Sequence, residues 1–326
     1  MRLSSVLEKM PILILSPHSR CNCRCVMCDI WKVTDAIEIS AEDLERHAGD
    51  MGLLGVEWVV FTGGEPLMHS DLFRLCRILR ERGIRVSVLS TGLLLERHAA
   101  AIVENVDDVI VSLDGPPEVH DRIRRVPGAF GMLRTGVSAI HRLKPDFPVT
   151  ARCTIQHSNC ARLRDTVSAA RELGLESISF LAADLTSTAF NRPDGWPAER
   201  TAGVALSLED LAGLEREMGL LIAADECGNF VVESPEKLRR IIHRLRGGTV
   251  APLCNAPWVS AVVEPDGAVR PCFFHPPIGR LDANNSLFQV INGERAVAFR
   301  AALDVASDAV CRRCVCSLNY GVPTPI

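Results

Sequence analysis

Eight residues near the start, Cys21-Asn-Cys-Arg-Cys-Val-Met-Cys28, carry four thiols. No other stretch restricts the chain as much, because thiols this close on one short segment converge on a metal centre or act as a redox dithiol. Cys21, Cys25 and Cys28 stand at x3 and x2 spacing and can reach one iron–sulfur cluster. Three thiolates on a four-iron cluster leave one iron without a protein ligand, and an open position is what separates catalytic metal sites from closed ones. From the loop alone, a zinc site and a redox Cys-x2-Cys stand beside this reading. Cys23 interrupts the run and is expected to point away from the cluster.

The remaining cysteines, of thirteen in 326 residues, fall into a back group (Cys254, Cys272, Cys311, Cys314, Cys316) and scattered singles. A disulfide framework would be spread more evenly, and no secretory signal is read at the start, so a cytoplasmic location and thiolate ligands are expected. Hydrophobic residues make up 47% of the chain, enough for a sizeable core. The net charge of −4 gives no nucleic-acid footprint, and the absence of a long apolar run gives no membrane span. Neither nucleic acid nor membrane is therefore an expected partner.

Short β-rich runs alternate with helical segments from Ile12 onward, the pattern of a parallel sheet wrapped by helices. Six strands are expected: Ile12–Ser16, Glu57–Phe61, Ile84–Leu89, Asp108–Leu113, Val149–Ile155 and Ser177–Leu181. Helices are expected at Ala41–Leu54, from an N-cap at Ser70 to Gly83, and at Leu94–Val103, Gly131–Arg142, Ala161–Leu173, Leu208–Ala224 and Pro235–Arg246. Six such units suggest an α/β fold, a partial (β/α)6 TIM-like barrel, although periodicity also admits a doubly wound sheet. In a barrel the site lies at the C-terminal ends of the strands.

Polar, glycine-containing segments follow those ends. Thr62-Gly63-Gly64-Glu65-Pro66 combines glycines that permit close backbone approach with a carboxylate able to pair with an ammonium. Ser90-Thr91-Gly92 offers hydroxyls to a ligand or to a helix cap. Ser112-Leu-Asp-Gly115 leads to Arg122, Arg124 and Arg125, whose guanidinium forks suit a carboxylate. After the sixth strand, the turn-rich passage Asp184–Trp196 is expected to contact substrate through Asp184, Thr186, Ser187, Asn191 and Arg192.

From Cys254 the pattern changes. Trp258–Val263 and Ala268–Cys272 flank Glu264-Pro-Asp-Gly267, a hairpin signal that brings Cys254 and Cys272 together. A helix at Glu294–Ala302 then leads to Cys311-Arg-Arg-Cys314-Val-Cys316. Four of these thiolates could hold zinc or an iron–sulfur cluster, with Cys316 an alternative to Cys314. The resulting division is residues 1–230, a linker helix over 231–250, and a small cysteine-rich domain over 251–326.

Cys21-x3-Cys25-x2-Cys28 resembles the signature of the radical S-adenosylmethionine (SAM) superfamily. The resemblance implies a SAM-binding 4Fe–4S cluster, reductive cleavage of SAM to a 5′-deoxyadenosyl radical and abstraction of a substrate hydrogen. It also decides for the partial barrel. Gly63, Gly64, Glu65 and Pro66 resemble the family's GGEP segment, which holds the SAM amino group, and Ser90 and Thr91 stand where relatives carry residues near the cofactor. Ser112 and Arg124 match the spacing by which anaerobic sulfatase-maturating enzymes meet the SAM carboxylate, with Arg122 and Arg125 as alternatives. Met27 departs from the aromatic residue that many relatives place before the third cysteine; Trp31 lies just beyond.

The back region resembles the SPASM domain in its shortened twitch form, as in 2-deoxy-scyllo-inosamine dehydrogenase. This implies an auxiliary 4Fe–4S cluster on Cys254, Cys272, Cys311 and Cys314, and an external electron donor such as a flavodoxin or ferredoxin. With the first strand at Ile12, no preceding peptide-recognition domain is expected. The favoured reaction is two-electron oxidation of a small polar metabolite; modification of a peptide, or a redox-neutral radical reaction, is the alternative. Asp184, Glu226 and Glu233 are the acidic residues expected within reach of the cavity.

Overall fold

In the computed structural model, residues 4–192, 195–248, 252–314 and 316–321 are described. Positions 193–194 of the expected substrate loop, 249–250 of the expected linker, and 251, 315 and 322–326 of the back region lie outside them.

The six expected strands form, each within a residue or two of its expected ends: β1 Ile12–Leu15, β2 Trp58–Phe61, β3 Arg85–Ser90, β4 Asp108–Ser112, β5 Val149–Ile155 and β6 Ile178–Ala182. All neighbouring pairs among them are parallel and follow chain order. Sequential order is that of an opened β/α barrel; a doubly wound sheet would reverse direction in the middle. The crossovers carry α1 Ala41–Leu53, α2 Leu72–Arg80, α3 Leu95–Asn105, α4 Pro117–Arg124, α5 Ala129–Leu143 and α6 Leu163–Glu172. The short α4 was not expected from the sequence. Ser70 does not cap α2: Asp71 holds that position, and the Ser70 amide and hydroxyl bond Glu38 instead.

Beyond β6 come α7 Ala198–Ala202, α8 Leu208–Ala223 and α9 Pro235–Leu245. A reciprocal Ser207–Asp210 capping box opens α8. Ser234 caps α9 through the Lys237 amide, with Pro235 at the first helical position. The back region holds α10 Ala256–Val259, β7 Ser260–Val263, β8 Ala268–Arg270, β9 Gly279–Arg280, α11 Leu287–Asn292 and α12 Glu294–Ala302. Trp258, expected in a strand, lies in α10. The hairpin forms as read, but β7 also pairs in parallel with the free edge of β1, Ile12 opposite Ser260, so the back region continues the sheet to nine strands.

Strand side chains alternate between faces. Leu13, Leu15, Val59, Phe61, Val88, Val111, Cys153 and Phe180 join the continuous core beneath the helices. On the opposite face Trp58 donates to Ser87 at 2.7 Å, and Ser87 to Asp108 at 2.7 Å. That face also carries Arg152, which donates to Ser179 at 3.3 Å.

Candidate iron–sulfur and SAM site

The loop after β1 is held by three neighbouring strand ends. Gly64 lets the next turn lie against it, since a Cβ there would fall 2.0 Å from the Arg20 carbonyl oxygen; the Glu65 amide donates to that oxygen at 2.9 Å. Gly63, at φ +100°, would place a Cβ 2.7 Å from the Ser16 side chain. Gly64 thus permits close approach of two backbones, and Gly63 makes room for the Ser16 side chain. Glu65 is fully buried. Its carboxylate accepts from Ser90 Oγ at 3.0 Å and from the Thr91 and Leu67 amides at 2.6 and 3.0 Å. Burial raises its pKa against those hydrogen bonds. In this structure Glu65 braces the ends of β2 and β3. Ser90 and Thr91 serve the same brace, and Thr91 Oγ1 reaches Asn22 of the cysteine loop at 3.0 Å. Pro66 opens a single buried 3-10 turn.

The end of α4 supplies the other wall. Its carbonyls at Arg124 and Ile123 accept the Arg24 and Val26 amides at 3.1 and 3.0 Å. Of the three candidate arginines, Arg122 and Arg125 are exposed and Arg124 is buried. Arg124 pairs with Asp114 at 2.6 Å and lies 3.6 Å from the Cys25 sulfur. Its Nε is buried with no hydrogen-bond partner among the described residues. The fork expected for a carboxylate is engaged through one contact from each terminal nitrogen, and its Nε–H is left without a partner among the described residues. Asp114, absent from the expected site, is wholly buried and also accepts the Thr154 amide at 2.9 Å.

Cys21, Cys25 and Cys28 share this enclosure. Burial pushes the Cys21 and Cys28 thiols up to about 12. Cys25 is drawn down to about 7 by a hydrogen bond from Cys23 and, against burial, by Arg124. Cys23 is buried, and its interaction with Cys25, together with burial, raises its own pKa. Three thiols on one loop, beside a buried cation and an unpaired buried donor, fit an anionic cluster carrying a ligand on its open iron. Thiolate formation at Cys21 and Cys28 would require a metal to displace their protons.

The far end of the loop is clamped from the Asp184–Trp196 passage. Asp29 receives Trp196 Nε1 at 2.8 Å and Arg200, and Asn191 donates to its carbonyl at 3.0 Å. Burial opposes the charge on Asp29, but the bonds from Arg200, Trp196 and Lys32 hold its carboxyl below the ordinary value. Asp184 is bound by Arg192 and Ser187, and the Thr186 amide turns back to it. Asp184, Ser187, Asn191 and Arg192 of the expected substrate loop thus take part in holding the loop itself. Glu226 pairs with Arg171 at 2.5 Å on the surface, and Glu233 is buried, accepting the Phe180 amide at 2.8 Å.

The back thiols gather around the tail. Asn255 donates to the Leu318 and Tyr320 carbonyls at 2.7 and 2.8 Å, which draws Cys254 to Cys314 and Cys316. Burial pushes Cys272 up to about 11, with Cys254 and Cys316 adding to it, and burial followed by the Asp308 carboxylate pushes Cys311 up to about 12, with Cys272 and Cys254 adding less. Cys314 is raised in the same way and donates to the Cys316 carbonyl. The expected linker helix α9 takes part: burial lowers Arg244, with Cys314, Cys311 and Cys254 acting in the opposite sense. Cys316 is raised by burial, with Arg152 and Lys237 opposing. Arg152 and His275 were not read as site residues; an arginine inside an apolar strand was the available signal for the first.

Comparison with known proteins agrees with this architecture. The radical SAM superfamily profile matches residues 15–181, and the SPASM iron–sulfur cluster-binding domain matches residues 254–315. An AdoMet-dependent heme synthase of Methanosarcina barkeri is 31% identical over 162 residues, 47% of this chain and 45% of that protein. A GTP 3′,8-cyclase of Limosilactobacillus fermentum is 27% identical over 275 residues, covering 80% and 78%. The chain spans less than half the length of the heme synthase relatives. Streptococcus suis SuiB bound to the precursor peptide SuiA shares the fold at TM-score 0.66 with 14% identity, over 91% of this chain and 68% of that one.

Proposed function

We propose that this chain, which belongs to the radical SAM superfamily, oxidises a small polar metabolite by two electrons. In this reading Cys21, Cys25 and Cys28 hold the SAM-binding 4Fe–4S cluster, and Cys254, Cys272, Cys311 and Cys314 hold an auxiliary 4Fe–4S cluster. When bound, the first cluster and SAM supply the electron and the 5′-deoxyadenosyl radical that removes a substrate hydrogen. The backbone of Gly63 and Gly64 is the edge available to the SAM amino group, while the Ser112 hydroxyl and Arg124 Nε are the donors available to its carboxylate. The brace made by Glu65, Ser90 and Thr91 fixes the cysteine loop relative to that edge.

The observation that carries the substrate reading is Arg152. Its Cα stands opposite those of Ser112 and Ser179 in the sheet, and its charge acts on Cys316 of the back group. In this reading a metabolite lies along the sheet face that carries Ser112, Arg152 and Ser179, between the two sites. A fully ligated auxiliary cluster can take the electron left after substrate deprotonation without binding substrate through iron. The heme synthase relative, named for a small-molecule product, supports the choice of substrate size. Reduction of the first cluster is assigned to an external flavodoxin or ferredoxin.

Anaerobic reconstitution with iron and sulfide, followed by dithionite and SAM, tests the reaction class. The wild type should form 5′-deoxyadenosine and Cys25→Ala should not; equal yields would refute the assignment. Stimulation of 5′-deoxyadenosine formation by the dialysable fraction of a cell extract supports a metabolite. Stimulation confined to the retained peptide fraction would overturn that choice.

A further inference from the structure

His275 lies three residues after Cys272 and is 4% exposed. Its ring meets Phe299 of α12 edge-on, with centroids 4.9 Å apart. Arg270 Nη1 holds its carbonyl at 3.1 Å and is itself tied to Glu264 at 3.0 Å through Nε. Backbone and ring are thus both fixed, and the imidazole Nε2 is delivered to Cys311 Sγ at 3.4 Å.

Asp308 completes the group. The His275, Asp308 and Cys311 donor atoms lie within 4.8 Å of one another. Asp308 Oδ1 already accepts the Val310 and Cys311 amides at 2.9 and 2.8 Å, and it stands 3.6 Å from Nε2, too far for a hydrogen bond. The sulfur is the hydrogen-bond partner of Nε2. A ligating thiolate can only accept, which fixes the proton on Nε2.

We infer that His275 is a positioning residue of the back centre, donating an Nε2–H hydrogen bond to Cys311 and so raising the reduction potential of the auxiliary cluster. This rests on the auxiliary-cluster reading above. A donor at a ligand sulfur stabilises the more electron-rich, reduced state, and hydrogen bonds to sulfur are among the factors that set cluster potentials. Asp308 shapes the turn that presents Cys311 by accepting the Val310 and Cys311 amides. The alternative use of the same three donors is direct coordination of a single metal ion, in which His275 would be a ligand.

The two uses separate in the full chain reconstituted anaerobically in a Cys25→Ala background, where the front cluster is absent. Iron content and an EPR-monitored redox titration are measured with His275 intact, with His275→Phe and with His275→Gln. Retention of about four irons in each, a lower midpoint in His275→Phe and return towards the parent value in His275→Gln support the inference. An unchanged midpoint in His275→Phe overturns it, and so does loss of iron in both variants, which would make His275 a ligand. Zinc in place of iron with His275 intact overturns the auxiliary-cluster reading and this inference together.

Discussion

Glu65 Oε2 accepts the Thr91 amide at 2.6 Å, joining the ends of two adjacent strands through a carboxylate with no solvent exposure. Its other oxygen takes Ser90 Oγ and the Leu67 amide. A buried carboxylate is tolerated only with its lone pairs filled, so the brace depends on all three donors.

Glu65→Gln turns one acceptor into a donor facing donors. The expected cost is about 1–3 kcal/mol, the penalty for unsatisfied buried groups. Urea denaturation should detect it, and iron analysis should show depletion of the front cluster with the auxiliary iron retained.

Gly64→Ala would drive a methyl group into the Arg20 carbonyl. Backbone cannot yield as a side-chain tip can, so the turn and cysteine loop must separate, at about 1–3 kcal/mol. The chain should still fold, with less iron bound by the front thiols and slower 5′-deoxyadenosine formation. Normal front-cluster occupancy would show that the contact does not set the loop position.

Arg124→Met leaves Asp114 buried and unpaired. Breaking a buried pair from one side costs about 3–5 kcal/mol, and Arg124→Lys should recover only part because one ammonium cannot span Asp114 and Cys25. In the double variant Arg124→Met/Asp114→Asn most of the stability should return without restoring SAM cleavage. Isothermal unfolding and 5′-deoxyadenosine yield measure the two effects separately.

His120 is wholly buried beside the Asp114 amide. Burial, aided by Arg124, pushes its pKa down to about 3. The unfolded chain takes up this proton near pH 6.5 and the folded chain does not, so stability is full above that pH. It falls as pH drops towards about 3, by up to about 1.4 kcal/mol per unit. His120→Asn, which retains an acceptor for the Asp114 amide, should make melting temperature less pH-dependent across this window.

The sequence by itself determined the sheet and its loops. Short β-rich runs, apolar in Ile12–Leu15 and alternating in Val149–Ile155, separated by amphipathic helices, specify strands locally. The cysteine spacing, the Gly63–Pro66 turn and the Ser112–Gly115 segment are likewise legible, because each follows a strand end. Tertiary structure alone decided that β7 would join the open edge of β1, since an unpaired strand edge accepts any partner of suitable register. It also turned Arg124 inward rather than Arg122 or Arg125, buried Cys23, gave Glu65 the Thr91 amide as a partner, and paired Asp184 with Arg192. A carboxylate or guanidinium reads the same in sequence whether it faces a ligand or another loop. Its partner is set by which distant backbone amides and charges the fold leaves unsatisfied beside it.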